Sequence, residues 1–165
     1  MAKMTSAQAA KELRKMLDQH DALLKKEQKA SVFRAAIQED IEDVRPPYDY
    51  GAIQSELAEI ESQIRNLKHA INQFNLTQVV PGFDMTIDQM LVYIPQLTAR
   101  KRKLDHMRSN FPKERITSFS SNFVEYNYSN YDIEQAEADY EKAADELARA
   151  QTAFDTVNTT IEFEV

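Results

Sequence analysis

His20, His69 and His106 are the side chains best suited to hold a metal or move a proton near neutral pH. A metal site on a helix needs a second ligand one turn away, at i+3 or i+4, so that both reach one ion. None of the three has a histidine or carboxylate there, so surface or rim positions are predicted for them. Carboxylates are plentiful, but they fall at ordinary helical intervals with no pair marked for acid–base work. The absence of cysteine excludes disulfides, thiolate nucleophiles and zinc–thiolate sites. With Gly51 and Gly82 as the sole glycines, no glycine-rich phosphate loop can form. Ser118, Ser120 and Ser121 lack a Gly-x-Ser-x-Gly setting and a neighbouring base. The chain therefore reads as non-enzymatic, with no catalytic residue, cofactor or metal expected.

Binding is better represented. Tyr126, Tyr128 and Tyr131, beside Phe123 and among Asn and Ser, suit a recognition surface or, more plainly, the cover of a β element's open face. "ARKRKLDHMR", residues 99–108, is the one basic cluster and could meet phosphates. It falls, however, in the last turns of a predicted helix whose start carries Asp84 and Asp88, a distribution that complements the helix macrodipole. The formal charge of −7 further argues against nucleic acid and anionic membranes as partners. In "KHAINQFNLT" a stripe of apolar residues runs into Asn72 and Asn75. Asn75 suits a C-terminal cap before Pro81, and Asn72 a buried polar contact that sets helix register. The tripeptides at Asn75, Asn127 and Asn158 match a glycosylation sequon, which matters only on a secreted chain.

The elements that must position these residues are mainly helical, as two glycines, five prolines and abundant Ala, Glu, Lys, Leu and Gln suggest. The first predicted helix spans about 5–29, with Ala10, Leu13, Met16, Leu17, Leu23 and Leu24 apolar. A strand is predicted at 31–37, before Pro46 and Pro47 force an extended stop. Tyr50, Ile53, Leu57, Ile60, Ile64, Leu67, Ile71 and Phe74 alternate steps of three and four, the seam of a coiled-coil-like helix. After a loop at 79–84, Thr86 and Gln89 read as a capping box opening a helix striped by Ile87, Met90, Ile94, Leu97, Leu104 and Met107. Pro95 predicts a kink or a break in it, and the unbroken stripe favours the kink. Residues 115–131 alternate at Phe119, Ser121, Phe123 and at Val124, Tyr126, Tyr128, predicting one or two strands that pair with 31–37. A last helix over about 132–158 puts Ala136, Ala143, Ala150 and Val157 between the larger Ile133, Tyr140, Leu147 and Phe154, so that a neighbouring helix can approach. "TTIEFEV" closes as a short strand, and no internal repeat is expected beyond the heptads.

"HAINQFNLT", "DMTIDQML" with "IPQLTARKRKL", and "DELARAQTAFDTVNTTIEFEV" together resemble an uncharacterised bacterial and phage family sometimes labelled septicolysin. Its pattern has an IN-x-x-N-x-x-T-like centre, and Thr77 here follows Asn75 by two positions, a departure in the threonine register. The resemblance covers about two-thirds of the chain and implies an α-helical bundle able to self-associate, with no established activity.

The expected fold is a single mainly α domain over 1–165, an antiparallel bundle of three to four long helices with coiled-coil-like seams plus a small β element. Its expected role is a helical interaction or assembly protein forming a homo-oligomer, with interaction residues Asn72, Asn75, Tyr126, Tyr128, Tyr131, Ala136, Ala143 and Ala150. The rivals are a membrane-active protein, suggested by the family label and the Ser/Phe/Tyr alternation, and a nucleic-acid accessory protein resting on the basic cluster. The N-terminus lacks the apolar core of a signal peptide, so a cytoplasmic location is expected.

Overall fold

A computed structural model describes residues 3–116 and 123–165. The fold is mainly α with short antiparallel strands: β1 (Lys3–Thr5), α1 (Ser6–Ala30), α2 (Ile41–Val44), α3 (Tyr50–Thr77), β2 (Val79–Val80), β3 (Met85–Thr86), α4 (Ile87–Arg108), β4 (Lys113–Ile116), β5 (Glu125–Tyr128), α5 (Ile133–Thr160) and β6 (Glu162–Glu164). The chain forms two compact units: residues 1–75 with 158–165, and residues 76–157.

Both units are assembled from the same local chemistry. In "KMTSAQ" Thr5 ends β1 and caps α1: its Oγ1 accepts from Gln8 N at 3.3 Å, and Gln8 Oε1 accepts from Thr5 N at 2.9 Å. In "DMTIDQ" Thr86 ends β3 and caps α4 through the same two bonds with Gln89, at 3.4 and 2.9 Å. The reciprocal bonds satisfy two backbone donors that a helix start leaves open. The long second helix of each half ends on Asn-x-Thr, at Asn75–Thr77 for α3 and Asn158–Thr160 for α5, and passes into a short strand. Met4 pairs with Phe163 across β1 and β6, and Met85 pairs with Val80 across β3 and β2. Phe74 and Val157, each just before its Asn, are both buried, and Phe74 stacks on Phe163 at 4.4 Å. The expectation of no internal repeat is therefore corrected. Residues 4–75 and 85–158 follow one plan of strand, helix, insert and helix. The shared signals are a few polar and turn-forming residues, which hydrophobic periodicity does not register.

The stripes settle the packing. Ile53, Leu57, Ile60, Ile64, Leu67 and Phe74 are buried in α3; Ile87, Met90, Leu97 and Leu104 in α4; and Ala136, Ala143, Leu147, Ala150 and Val157 in α5. Tyr50, expected in the α3 seam, is 66% exposed. In α1 the buried position is Ala9 and not Ala10. α4 runs unbroken through Pro95, and Thr98 Oγ1 donates to Ile94 O at 2.9 Å.

The region 31–37 is not a strand. Val32 and Ile37 are exposed, and the backbone bonds locally, Glu39 N donating to Ala36 O at 3.0 Å and Ala36 N to Glu39 Oε2 at 2.8 Å. Asp40 then caps α2 by accepting from Glu42 N at 3.0 Å. Among the described residues β4 pairs with β5 and not with 31–37. The loop expected at 79–84 is a hairpin turn, β2 to β3, in which Gly82 (φ 85°) and Asp84 (φ 48°) take the left-handed conformation. Phe119 and Ser121 lie outside the described residues.

Candidate functional site

In the first unit α1 and α3 are tied by polar pairs whose α3 members fall in number as their α1 members rise, so the helices run antiparallel. His20 Nε2 lies 3.4 Å from Glu61 Oε1. Farther along, Glu27 Oε1 accepts from Gln54 Nε2 at 2.6 Å and from the Tyr48 hydroxyl at 2.9 Å. Burial, and then donation to Glu27, push the Tyr48 hydroxyl pKa above the ordinary tyrosine value. Beside these ties lies an open groove of about 430 Å³ lined by Ala22, Leu23, Lys26, Glu56, Glu59 and Ile60. Leu17 and Leu24, one heptad apart on α1, are 40% and 42% exposed. Sequence reading missed His20–Glu61 and the Glu27 ties, because partners 21 to 41 positions apart leave no local signal.

In the second unit the Tyr93 hydroxyl donates to Glu146, joining α4 to α5. That bond, with burial next, raises the Tyr93 pKa. Arg108 donates to Asp105 and Glu137, each at 2.9 Å, and its guanidinium lies 3.8 Å from the centre of the Tyr140 ring. The two carboxylates hold the Arg108 pKa further above its ordinary value. Part of the basic cluster is thus engaged within the unit.

Between α4 and α5 stand β4 and β5, every residue of both strands exposed. Their register sets Lys113 opposite Tyr128, Glu114 opposite Asn127, Arg115 opposite Tyr126 and Ile116 opposite Glu125. Opposite residues share a face and successive residues alternate. One face therefore carries Lys113, Arg115, Tyr126 and Tyr128, and the other Glu114, Ile116, Glu125 and Asn127. Lys113 Nζ lies 4.1 Å from the Tyr126 ring centre and 5.4 Å from that of Tyr128, and the two rings are 6.3 Å apart. Ser129 anchors the ribbon's base, its N donating to Pro112 O at 3.2 Å and its Oγ to Phe111 O at 2.8 Å.

The predicted interaction residues thus separate. Tyr126 and Tyr128 form one exposed aromatic group. Tyr131 does not join them: its hydroxyl donates to Met107 O and accepts from Asn110 Nδ2, both at 2.7 Å, closing the end of α4. Ala136, Ala143 and Ala150 are buried, at 5%, 5% and 0% exposure, and belong to the core. Asn75 is not a terminal cap. α3 continues two residues to Thr77, and the β2–β3 hairpin takes over the backbone, with Ile87 N donating to Gln78 O at 3.0 Å. Asn72 is exposed and makes no buried polar contact. Among the described residues no group of three or more His, Asp or Glu could hold a metal ion, and no helix is long and apolar enough to cross a membrane.

No family model and no curated protein matches the chain. The fold is similar to the crystal structure of a functionally unknown conserved protein from Corynebacterium diphtheriae, with a TM-score of 0.58 and 17% sequence identity over 99% of this chain and 100% of that one. At that identity the likeness concerns the fold alone.

Proposed function

We propose that the chain is a non-enzymatic helical interaction and assembly protein that associates with copies of itself. The observation that carries this reading is α1. Among the described residues of this 25-residue helix only Ala9 is fully buried, while Leu17 and Leu24 remain substantially exposed one heptad apart. Burying a leucine side chain fully is worth roughly 1.5–3 kcal/mol, so a helix this thinly covered gains from a further partner. The resemblance to the septicolysin-labelled family, which implies a self-associating helical fold, agrees with the reading and adds no activity to it. Sedimentation equilibrium at micromolar concentrations should give a mass above the 19.0 kDa of one chain. A mass near 19.0 kDa at every concentration would contradict the proposal.

A further inference from the structure

The β4–β5 ribbon has two outer edges, and they differ in charge. Antiparallel ladders alternate hydrogen-bonded pairs with non-bonded pairs, whose backbone N–H and C=O groups point outward. The bond from Ser129 N to Pro112 O makes 112–129 a bonded pair, so 113–128 and 115–126 are the non-bonded ones. The outward groups on β4 therefore belong to Lys113 and Arg115, and those on β5 to Tyr126 and Tyr128. Among the described residues the two strands pair only with each other, and both are exposed along their length.

Charge decides between the edges. A two-fold pairing of β4 with β4 of a second copy, centred on Lys113, Glu114 or Arg115, sets a cation directly opposite a cation, which is destabilising. On β5 the same operation meets no like charge. With Asn127 on the two-fold axis, Tyr126 falls opposite Tyr128 of the second copy, and the outward N–H and C=O groups of these residues meet as bonded pairs. We infer that the β5 edge is a self-association site, on which a second copy of this chain adds its own β5 to form a four-stranded sheet ordered β4–β5–β5–β4. The inference rests on the reading of the chain as self-associating and names a contact surface other than the exposed leucines of α1. An open-ended alternative seats β5 of one copy on β4 of the next. The closed arrangement is favoured because Lys113 is already engaged over Tyr126 and Tyr128 of its own ribbon, and because closed two-fold symmetry ends the assembly at a dimer.

The absence of cysteine supplies the test. Asn127 and its symmetry mate form a non-bonded pair with Cα atoms about 4.5 Å apart, within disulfide reach. Asn127→Cys should therefore oxidise to a covalent species of twice 19.0 kDa, whereas Glu114→Cys, on the same face but on β4, should stay single. Tyr126→Lys with Tyr128→Lys should shift the protein to monomer while its helical circular dichroism is kept. If the parent is a dimer but Asn127→Cys links no better than Glu114→Cys, the β5 site is wrong and self-association stands. A parent that is monomeric throughout overturns both. A mass that grows without limit with concentration overturns the closed arrangement in favour of the open one.

Discussion

The two halves of the chain start and stop their helices alike and differ in what they insert between them. Residues 4–75 and 85–158 share the Met-Thr-x-x-Gln start and the Asn-x-Thr end, each joined to a two-stranded pairing. Between α1 and α3 the first half holds an irregular stretch with one turn of helix, tied down by Asp40, Glu39 and the Arg45–Glu42 ion pair. Between α4 and α5 the second half holds an exposed β-ribbon. The ends are constrained because a helix terminus leaves backbone groups that need partners. An insert carries no such demand once its own backbone is satisfied, so the two inserts can differ, one an irregular stretch and the other an exposed ribbon.

The largest effect separates core from surface in the second half. Ala143 is buried, so Ala143→Leu adds three carbons to a filled space and should cost about 1–3 kcal/mol in urea unfolding. Glu141→Leu, on the exposed side of α5, should stay within about 0.5 kcal/mol. Equal stability of Ala143→Leu and the parent would show that the alanine row does not fill a packed core.

The comparison of halves is sharpened at the caps. Thr5→Ala and Thr86→Ala should each cost about 1 kcal/mol, with Thr5 the costlier because it is buried. A loss at one cap and none at the other would argue that the shared motif is coincidental.

The legibility of the chain follows the same division. The stripes of α3, α4 and α5, the Thr86 box and the final strand could be read from sequence, because apolar spacing and capping residues act over three or four positions. The Thr5 box carries the same Thr-x-x-Gln signal, which marks the start of α1 more sharply than its apolar stripe does. The β1–β6 pairing joins residues at the two ends of the sequence, beyond the reach of any local pattern. Residues 31–37 have strand-like composition, yet local bonds to Glu39 hold them otherwise. Composition alone groups Tyr126 and Tyr128 with Tyr131, and of the three the first two are the exposed ones. It could not tell Tyr131 from them, because the hydroxyl partners of Tyr131 lie 21 and 24 positions away.

A smaller effect concerns the tie between α4 and α5. The Tyr93 pKa is raised, chiefly by its donation to Glu146. The stabilisation from that bond is therefore complete below the ordinary tyrosine pKa of about 10 and is lost as pH rises through the higher folded value. Glu146→Gln keeps an acceptor and removes the charge, so one of seven tyrosines should ionise at lower pH than in the parent. Superimposable phenolate absorbance titrations of the two proteins would dissolve the tie.

The ribbon edge is most directly tested by amide hydrogen exchange at Tyr126, Tyr128, Lys113 and Arg115, followed by NMR at low and high protein concentration. All four amides point away from the ribbon's internal ladder, so in a single copy all four should exchange rapidly. At high concentration, protection should appear at Tyr126 and Tyr128 alone, as each takes a carbonyl partner from the second copy. Protection that rises equally on both strands, or on neither while the mass exceeds one chain, would contradict a self-association site on the β5 edge.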